Sequence, residues 1–251
     1  MVAESALPAK VTILGVTIDN IVEAEAIDQI AQFIATGQPH HVVTVNPEFV
    51  MEAQRNRAFR RVLAAADLAT PDGFGLVLVA RWRDTPLRGR VTGVALTQQI
   101  AARAATQGWS IFLLGARPGV AERAAAVLER AHPGLRIAGC YAGSPQPQEE
   151  AGIVARVVQA RPDVLLVAYG HPAQDLWIAR NQPRLRVPVA IGVGGVFDYL
   201  AGEVALAPAW MRRGGLEWLY RLIKQPWRWR RIMVAVPLFL WAALREPRRS
   251  T

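Results

Sequence analysis

A single cysteine, Cys140, is the only thiol in this chain of 251 residues. An internal disulfide is therefore excluded, and a reducing compartment is expected. Lysine is nearly absent, 2 residues against 27 arginines; arginine can clamp phosphate through two hydrogen bonds, although genome composition can produce the same bias. Motifs that would announce a metal or a cofactor are missing. The four histidines (His40, His41, His132, His171) lack ligand spacing, and no Asp-x-Asp pair occurs, so neither a metal site nor a cofactor is expected. There is no G-x-G-x-x-G, no G-K-[ST] and no G-x-S-x-G, which argues against a dinucleotide fold, a P-loop and a hydrolase elbow. The N-terminal segment has no apolar core of a secretory signal, and none is expected. Long apolar runs are lacking too. Ile232–Leu244 holds thirteen uncharged residues, about 20 Å as a helix against roughly 30 Å of bilayer hydrocarbon, and Pro237 interrupts it.

What is present is enough hydrophobic residue, 52% with 8 tryptophans, to bury a large core, which excludes intrinsic disorder. The net charge of +9 is unevenly placed: residues 1–209 carry +1, and residues 210–251 carry +8 together with five tryptophans (Trp210, Trp218, Trp227, Trp229, Trp241). This asymmetry predicts an anionic partner for the tail. A basic, Trp-rich segment with a short apolar stretch has the character of an interfacial membrane helix. Two other readings stand beside it: a helix docked on the core with a solvated arginine face, and RNA binding through arginine and tryptophan stacking, which no nucleic-acid motif accompanies.

Ahead of the tail, apolar β-rich runs alternate with Ala-rich helical patterns, the signature of an α/β domain with a mostly parallel sheet. Strands are predicted at 11–18 (with a turn or bulge at Gly15), 41–45, 67–70, 110–114, 136–140, 164–168 and 187–191. Helices are predicted at 24–35, 47–66, 75–80, 96–107, 119–131, 149–160 and 173–180. Short loops and the lack of a repeat favour one core over 1–207, with a basic helical appendage over 208–251.

Ligands of open parallel sheets sit at the carboxyl ends of the strands, which directs attention to Thr44 and Asn46, Asp72, Gly115–Gly119, Gly170–Gln174 and Gly192–Gly195. Asn46-Pro47-Glu48 reads as a helix start, with Asn at the N-cap and Pro at the first position; the Asn could also meet a sugar hydroxyl. Asp72, in the turn Pro71-Asp72-Gly73, could be a local turn former or a base for an incoming hydroxyl. Gly115-Ala116-Arg117-Pro118-Gly119 could cradle phosphate at a helix start, and Gly192, Gly194 and Gly195 could let a backbone approach a ligand or make a tight turn.

Eight motifs occur in order: Thr44-Val-Asn46-Pro-Glu-Phe, Pro71-Asp72-Gly73, Arg90-Val-Thr-Gly93, Phe112-Leu-Leu-Gly115-Ala, Pro162-Asp-Val-Leu-Leu-Val-Ala, Gly170-His-Pro-Ala-Gln174-Asp-Leu-Trp177, Gly192-Val-Gly-Gly-Val-Phe-Asp198 and Gly215-Leu-Glu-Trp-Leu-Tyr-Arg221. Over residues 8–232 the chain thus closely resembles the WecG/TagA/CpsF glycosyltransferases (glycosyltransferase family 26). The resemblance implies a Rossmann-like, metal-independent, inverting transferase of bacterial cell-surface polysaccharide synthesis. Such an enzyme moves a sugar from a UDP-sugar to a polyprenyl-pyrophosphate-linked saccharide, on the inner face of the cytoplasmic membrane. It implies Asp72 as base, Thr44, Asn46, Arg90 and Gln174 as further active-site residues, and Arg221, Arg228 and Arg231 as contacts to pyrophosphate. The chain departs from the family pattern at Ala95 (commonly Asp), Asp175 (commonly Glu) and Leu206 (commonly Arg). Ala95 and Leu206 bear on the donor sugar and on phosphate binding; N-acetylmannosamine, glucose and a uronic acid all stay open as the donor sugar, and so does homo-oligomerisation. The rival from another class is a non-catalytic sugar-nucleotide-binding protein at the membrane. Nucleic acid is not an expected partner.

Overall fold

Lys10–Ile13 (β1) and Val16–Asp19 (β2) pair antiparallel. The link is Leu14-Gly15, both at positive φ, 49° and 73°, a two-residue turn whose twist matches that of the strands. The alternating sequence buries Val11, Ile13, Val16 and Ile18 on one side. Where the sequence suggests a single strand over 11–18, the turn folds the segment into a hairpin.

The computed structural model describes residues 9–208, 210–211, 214–224, 226 and 229–246. Beyond the hairpin, six strands form one sheet: His40–Val45 (β3), Leu68–Pro71 (β4), Ser110–Gly115 (β5), Arg136–Tyr141 (β6), Val164–Ala168 (β7) and Val189–Gly192 (β8). Their order is β4-β3-β8-β7-β5-β6 and every pairing is parallel. Parallel neighbours need long crossovers, which the helices supply: Glu23–Thr36 (α1), Pro47–Arg55 (α2), Arg57–Ala65 (α3), Phe74–Trp82 (α4), Gly93–Gln107 (α5), Val120–Ala131 (α6), Pro147–Ala160 (α7), Ala173–Leu185 (α8) and Val196–Leu200 (α9). Helices cover both faces, so the central strands read as unbroken apolar runs. In β7, Val164 and Leu166 pack into one core while Leu165 and Val167 pack into another. The architecture is the Rossmann-like α/β core that the sequence predicts.

Several boundaries follow capping groups. The predicted helix 47–66 is two helices, because Asn56 ends α2 and its side chain accepts the Phe59 N–H at 3.0 Å to start α3; Asn is a strong N-cap. Helix α5 begins three residues ahead of the predicted Leu96, capped by Thr92, whose hydroxyl accepts the Ala95 N–H.

In the tail, Glu217–Lys224 (α10) precedes Trp229–Met233 (α11), which runs through a π-helical segment, Val234–Leu238, into Phe239–Arg245 (α12). Pro237 does not end the helix. It lies in the π segment, whose wider ladder is a known way to accommodate an insult to the i→i−4 bonding. Phe239 and Ala243, one turn apart, are fully buried against the core. Gly75 of α4 packs close to Pro47, whose Cγ would lie 3.1 Å from a Cβ there, with the Phe239 ring beside it at ordinary contact distance. The end of α12 is tied down by Glu246, which accepts from the Leu14 N–H at 3.0 Å and from Arg83 at 2.6 Å. No helix among the described residues is long and apolar enough to cross a membrane. Phe239→Ala is expected to cost about 3–5 kcal/mol in urea unfolding, whereas Trp241→Ala, on the exposed side of the same helix, should stay within about 1 kcal/mol.

Candidate active site

The carboxyl ends of β4, β3, β8 and β7 open into a cavity of about 860 Å³. The ends of β3, β4 and β7 each lead into polar residues that line it, and the end of β8 into a glycine turn. Beyond β3 lies Asn46, whose side-chain oxygen caps α2 by accepting the Phe49 N–H at 3.1 Å. Within β3, Thr44 is buried and its hydroxyl donates to the Gly192 carbonyl at 3.1 Å. Beyond β4, Asp72 is held from two sides: its N–H donates to the Val45 carbonyl at 2.7 Å, and its carboxylate accepts the Gly93 N–H at 3.3 Å. Gly73 follows at φ 117°, and a Cβ there would come to 3.0 Å of Pro47. That close approach lets the β4 and β3 turns sit together.

Gln174, at the start of α8, is 1% exposed, and its side-chain oxygen accepts the Gly194 N–H at 2.9 Å. It thereby fixes the turn after β8. Gly192 has no space for a side chain because Gln174 and Asp175 fill it. Gly194 and Gly195 line the cavity. Gly115 does not: it packs at the end of β5, where a Cβ would meet the Ala168 backbone at 2.8 Å. Arg117, from the same loop, pairs with Glu203 at 2.8 Å and lies 3.7 Å from Asp198.

Arg90 enters the cavity 3.6 Å from Glu217 of α10. Arg231 of α11 reaches it as well, bonded to Glu48 at 2.6 Å and 3.4 Å from the His171 ring. Arg221 lies in α10, but its side chain is outside the described set, as is Arg228 altogether. The structure therefore brings together Thr44, Asn46, Asp72, Arg90, Gln174, Gly194, Gly195 and Arg231.

It adds residues that the sequence reading did not single out. Glu48 and His171 approach at 3.4 Å and share Arg231, and Asp198, Tyr199, Gln98 and Glu217 join the lining. The signal for His171 was its place in the loop after β7. Its long-range partners leave no local pattern. Ala95 and Leu206 also line the cavity, whereas Asp175, the third departure from the family pattern, is fully buried outside that lining. Among the described residues no three His, Cys, Asp or Glu side chains are grouped to hold a metal ion. Cys140 does not line the cavity, and burial, with help from Glu122 and Glu129, pushes its thiol up to about 11. It is no nucleophile at neutral pH.

The profile of the glycosyl transferase WecG/TagA/CpsF family matches residues 11–251. The chain belongs to that family. Among curated relatives, an N-acetylglucosaminyldiphosphoundecaprenol N-acetyl-β-D-mannosaminyltransferase of Bacillus spizizenii is 35% identical over 83% of this chain and 80% of its own. The enzyme of the same name from Bacillus subtilis is 34% identical over the same shares. One from Staphylococcus aureus is 30% identical over 99% of this chain and 97% of its own. This member of the family is accordingly a glycosyltransferase, and the non-catalytic alternative falls away.

The electrostatics of this glycosyltransferase give one pH-dependent element. Burial lowers the His171 pKa below its ordinary 6.5, Glu48 opposes that shift and Arg231 adds to it. The unfolded chain then binds the proton more readily, so the stability tied to neutral His171 is complete above 6.5 and is lost as pH falls below it. The melting temperature should drop between pH 7 and pH 5, and His171→Asn should flatten that slope; equal slopes would show that His171 is not the group responsible.

Proposed function

We propose that the protein is an inverting, metal-independent transferase that moves a sugar from a UDP-sugar to a saccharide linked to polyprenyl pyrophosphate. The observation that carries this reading is the placement of Asp72 with Thr44, Asn46, Arg90 and Arg231 around one cavity, in a family whose curated relatives are named for N-acetyl-mannosaminyl transfer to a diphosphoundecaprenol-linked sugar. UDP-N-acetylmannosamine is the first donor to test, with UDP-glucose and a UDP-uronic acid as rivals.

In this mechanism the acceptor hydroxyl oxygen attacks the anomeric carbon from the face opposite UDP. Asp72 takes the hydroxyl proton as the new C–O bond forms. The bond from the anomeric carbon to the phosphate oxygen breaks, and UDP leaves with the electron pair. Arginine stabilises the charge that develops on the diphosphates: Arg90 and Arg231 from the cavity wall, with Arg221 and Arg228 as further contacts. Thr44 and Gln174 keep the Gly192–Gly195 turn open toward the donor. Residues 208–251 act as an appendage to the 1–207 core that holds the enzyme on the inner face of the cytoplasmic membrane, where basic side chains meet anionic lipid.

Asp72→Asn should keep the fold and donor affinity while lowering kcat by roughly 10²–10⁴-fold. Turnover with UDP-N-acetylmannosamine and an N-acetylglucosaminyl diphosphate acceptor measures it, and near-normal turnover would remove Asp72 as the base.

A further inference from the structure

Helix α4 is apolar on two faces. Leu76, Val79 and Ala80 are buried in the core, yet Phe74, Leu78 and Trp82, spaced one turn apart on the other side, remain 39%, 46% and 39% exposed. Three large apolar side chains in line on a surface helix mark a binding surface more often than a packing accident. The stripe does not face open solvent along its whole length, because Phe74 and Leu78 line the cavity mouth. Ile232, Val236 and Leu240 of the tail line the same cavity. Phe74 is further enclosed by the backbone of Gly215, which packs on its ring at φ 72°.

We propose that these two helices form a track for the hydrocarbon chain of the acceptor, leading outward from its diphosphate. The inference rests on the reading above that the acceptor is a polyprenyl diphosphate. Three features choose this occupant. The wall begins at a cation, since Arg231 immediately precedes Ile232, and both line the cavity. Cation followed by apolar surface is the order that a diphosphate bonded to a hydrocarbon requires. The α4 stripe then extends the apolar surface by about 12 Å, from Phe74 to Trp82. Trp82 follows the exposed Arg81, while Arg83 on its other side turns to Glu246, and an exposed aromatic ring beside an exposed arginine suits the level at which a lipid chain enters a headgroup layer. The track thus uses a helix of the core as well as the tail.

The test compares two soluble acceptors, N-acetylglucosaminyl diphosphate carrying a farnesyl or a butyl chain, by calorimetric titration without donor or membrane. The wild-type chain is expected to bind the farnesyl compound at least about tenfold more tightly, the effect of burying a couple of methylene groups. Leu78→Asn and Trp82→Asn should each erase most of that preference, while Val158→Asn, an equally exposed apolar site on α7 away from the cavity, should keep it. Melting temperatures confirm that each variant is folded. Equal binding of both compounds by the wild type, or an undiminished preference in the α4 variants, would overturn the track. Loss of binding to phosphatidylglycerol vesicles in variants that retain the farnesyl preference would also overturn it and assign the stripe to the bilayer. If the wild type binds neither compound, the acceptor reading itself fails, a result distinct from the others.

Discussion

Parallel pairing of β8 between β3 and β7 puts Val45, Gly192 and Ala168 along one edge of the sheet, and the cavity is built on that edge. Packing around the strand ends themselves is tight. A side chain at Gly192 would collide with Gln174 and Asp175, and one at Gly115 with the Ala168 backbone. The glycines let strand ends and the start of α8 close up, and the gaps are bridged by Thr44 to Gly192 and by Gln174 to Gly194. Buried backbone groups must be paired, so these two side chains fix the turn beside which a donor would lie. Asp72 depends on the same frame through the Val45 carbonyl and, on the other side, through the Gly93 N–H.

The parts legible from sequence are those governed by short-range rules. Continuous apolar runs such as Val164–Ala168 identify strands buried on both faces, and the carboxyl-end rule then selects Asn46, Asp72 and Gln174 without any knowledge of where the strands lie in the sheet. The misreadings have local causes too: Leu14-Gly15 is a hairpin turn inside an apolar alternation, Asn56 caps inside a helical pattern, and Pro237 is absorbed by a π segment. The meeting of Glu48, His171 and Arg231 could not be read at all. Glu48 and Arg231 are 183 positions apart, and only the return of the tail helix over α2 joins them. Gly115 and Gly192 show the converse. The setting of Gly115 suggests a phosphate cradle and that of Gly192 a close approach to a ligand or a tight turn, and the structure supplies a packing reason for each.

The tail is not one basic surface, although its +8 charge suggests it. Phe239 and Ala243 face the core, Val236 and Leu240 face the cavity, and Trp241 and Leu244 face outward. Its described arginines divide in the same way. Arg231 turns inward to Glu48, whereas Arg230 and Arg245 lie over the rings of Trp229 and Trp241 at 5.4 and 3.9 Å. An arginine stacked on an exposed tryptophan keeps its charge at the surface on an apolar support, which is the form a contact with an anionic lipid layer would take.

The inward arginine has a different task. Exposed ion pairs contribute at most about 1 kcal/mol, so the bond from half-exposed Arg231 to Glu48 holds the guanidinium at the cavity without binding it tightly. A diphosphate offers more charge and bidentate geometry, and in the proposed reaction it displaces Glu48 at small cost. The same holds for Arg90 and Glu217, where the carboxylate again belongs to the other part of the chain. Both pairs join core to tail: Glu48 and Arg90 lie in the core, Arg231 and Glu217 in the tail. In the proposed reaction substrate charge would thus be read at the seam, and the buried Phe239 and the Glu246 clasp hold the tail helix against the core there.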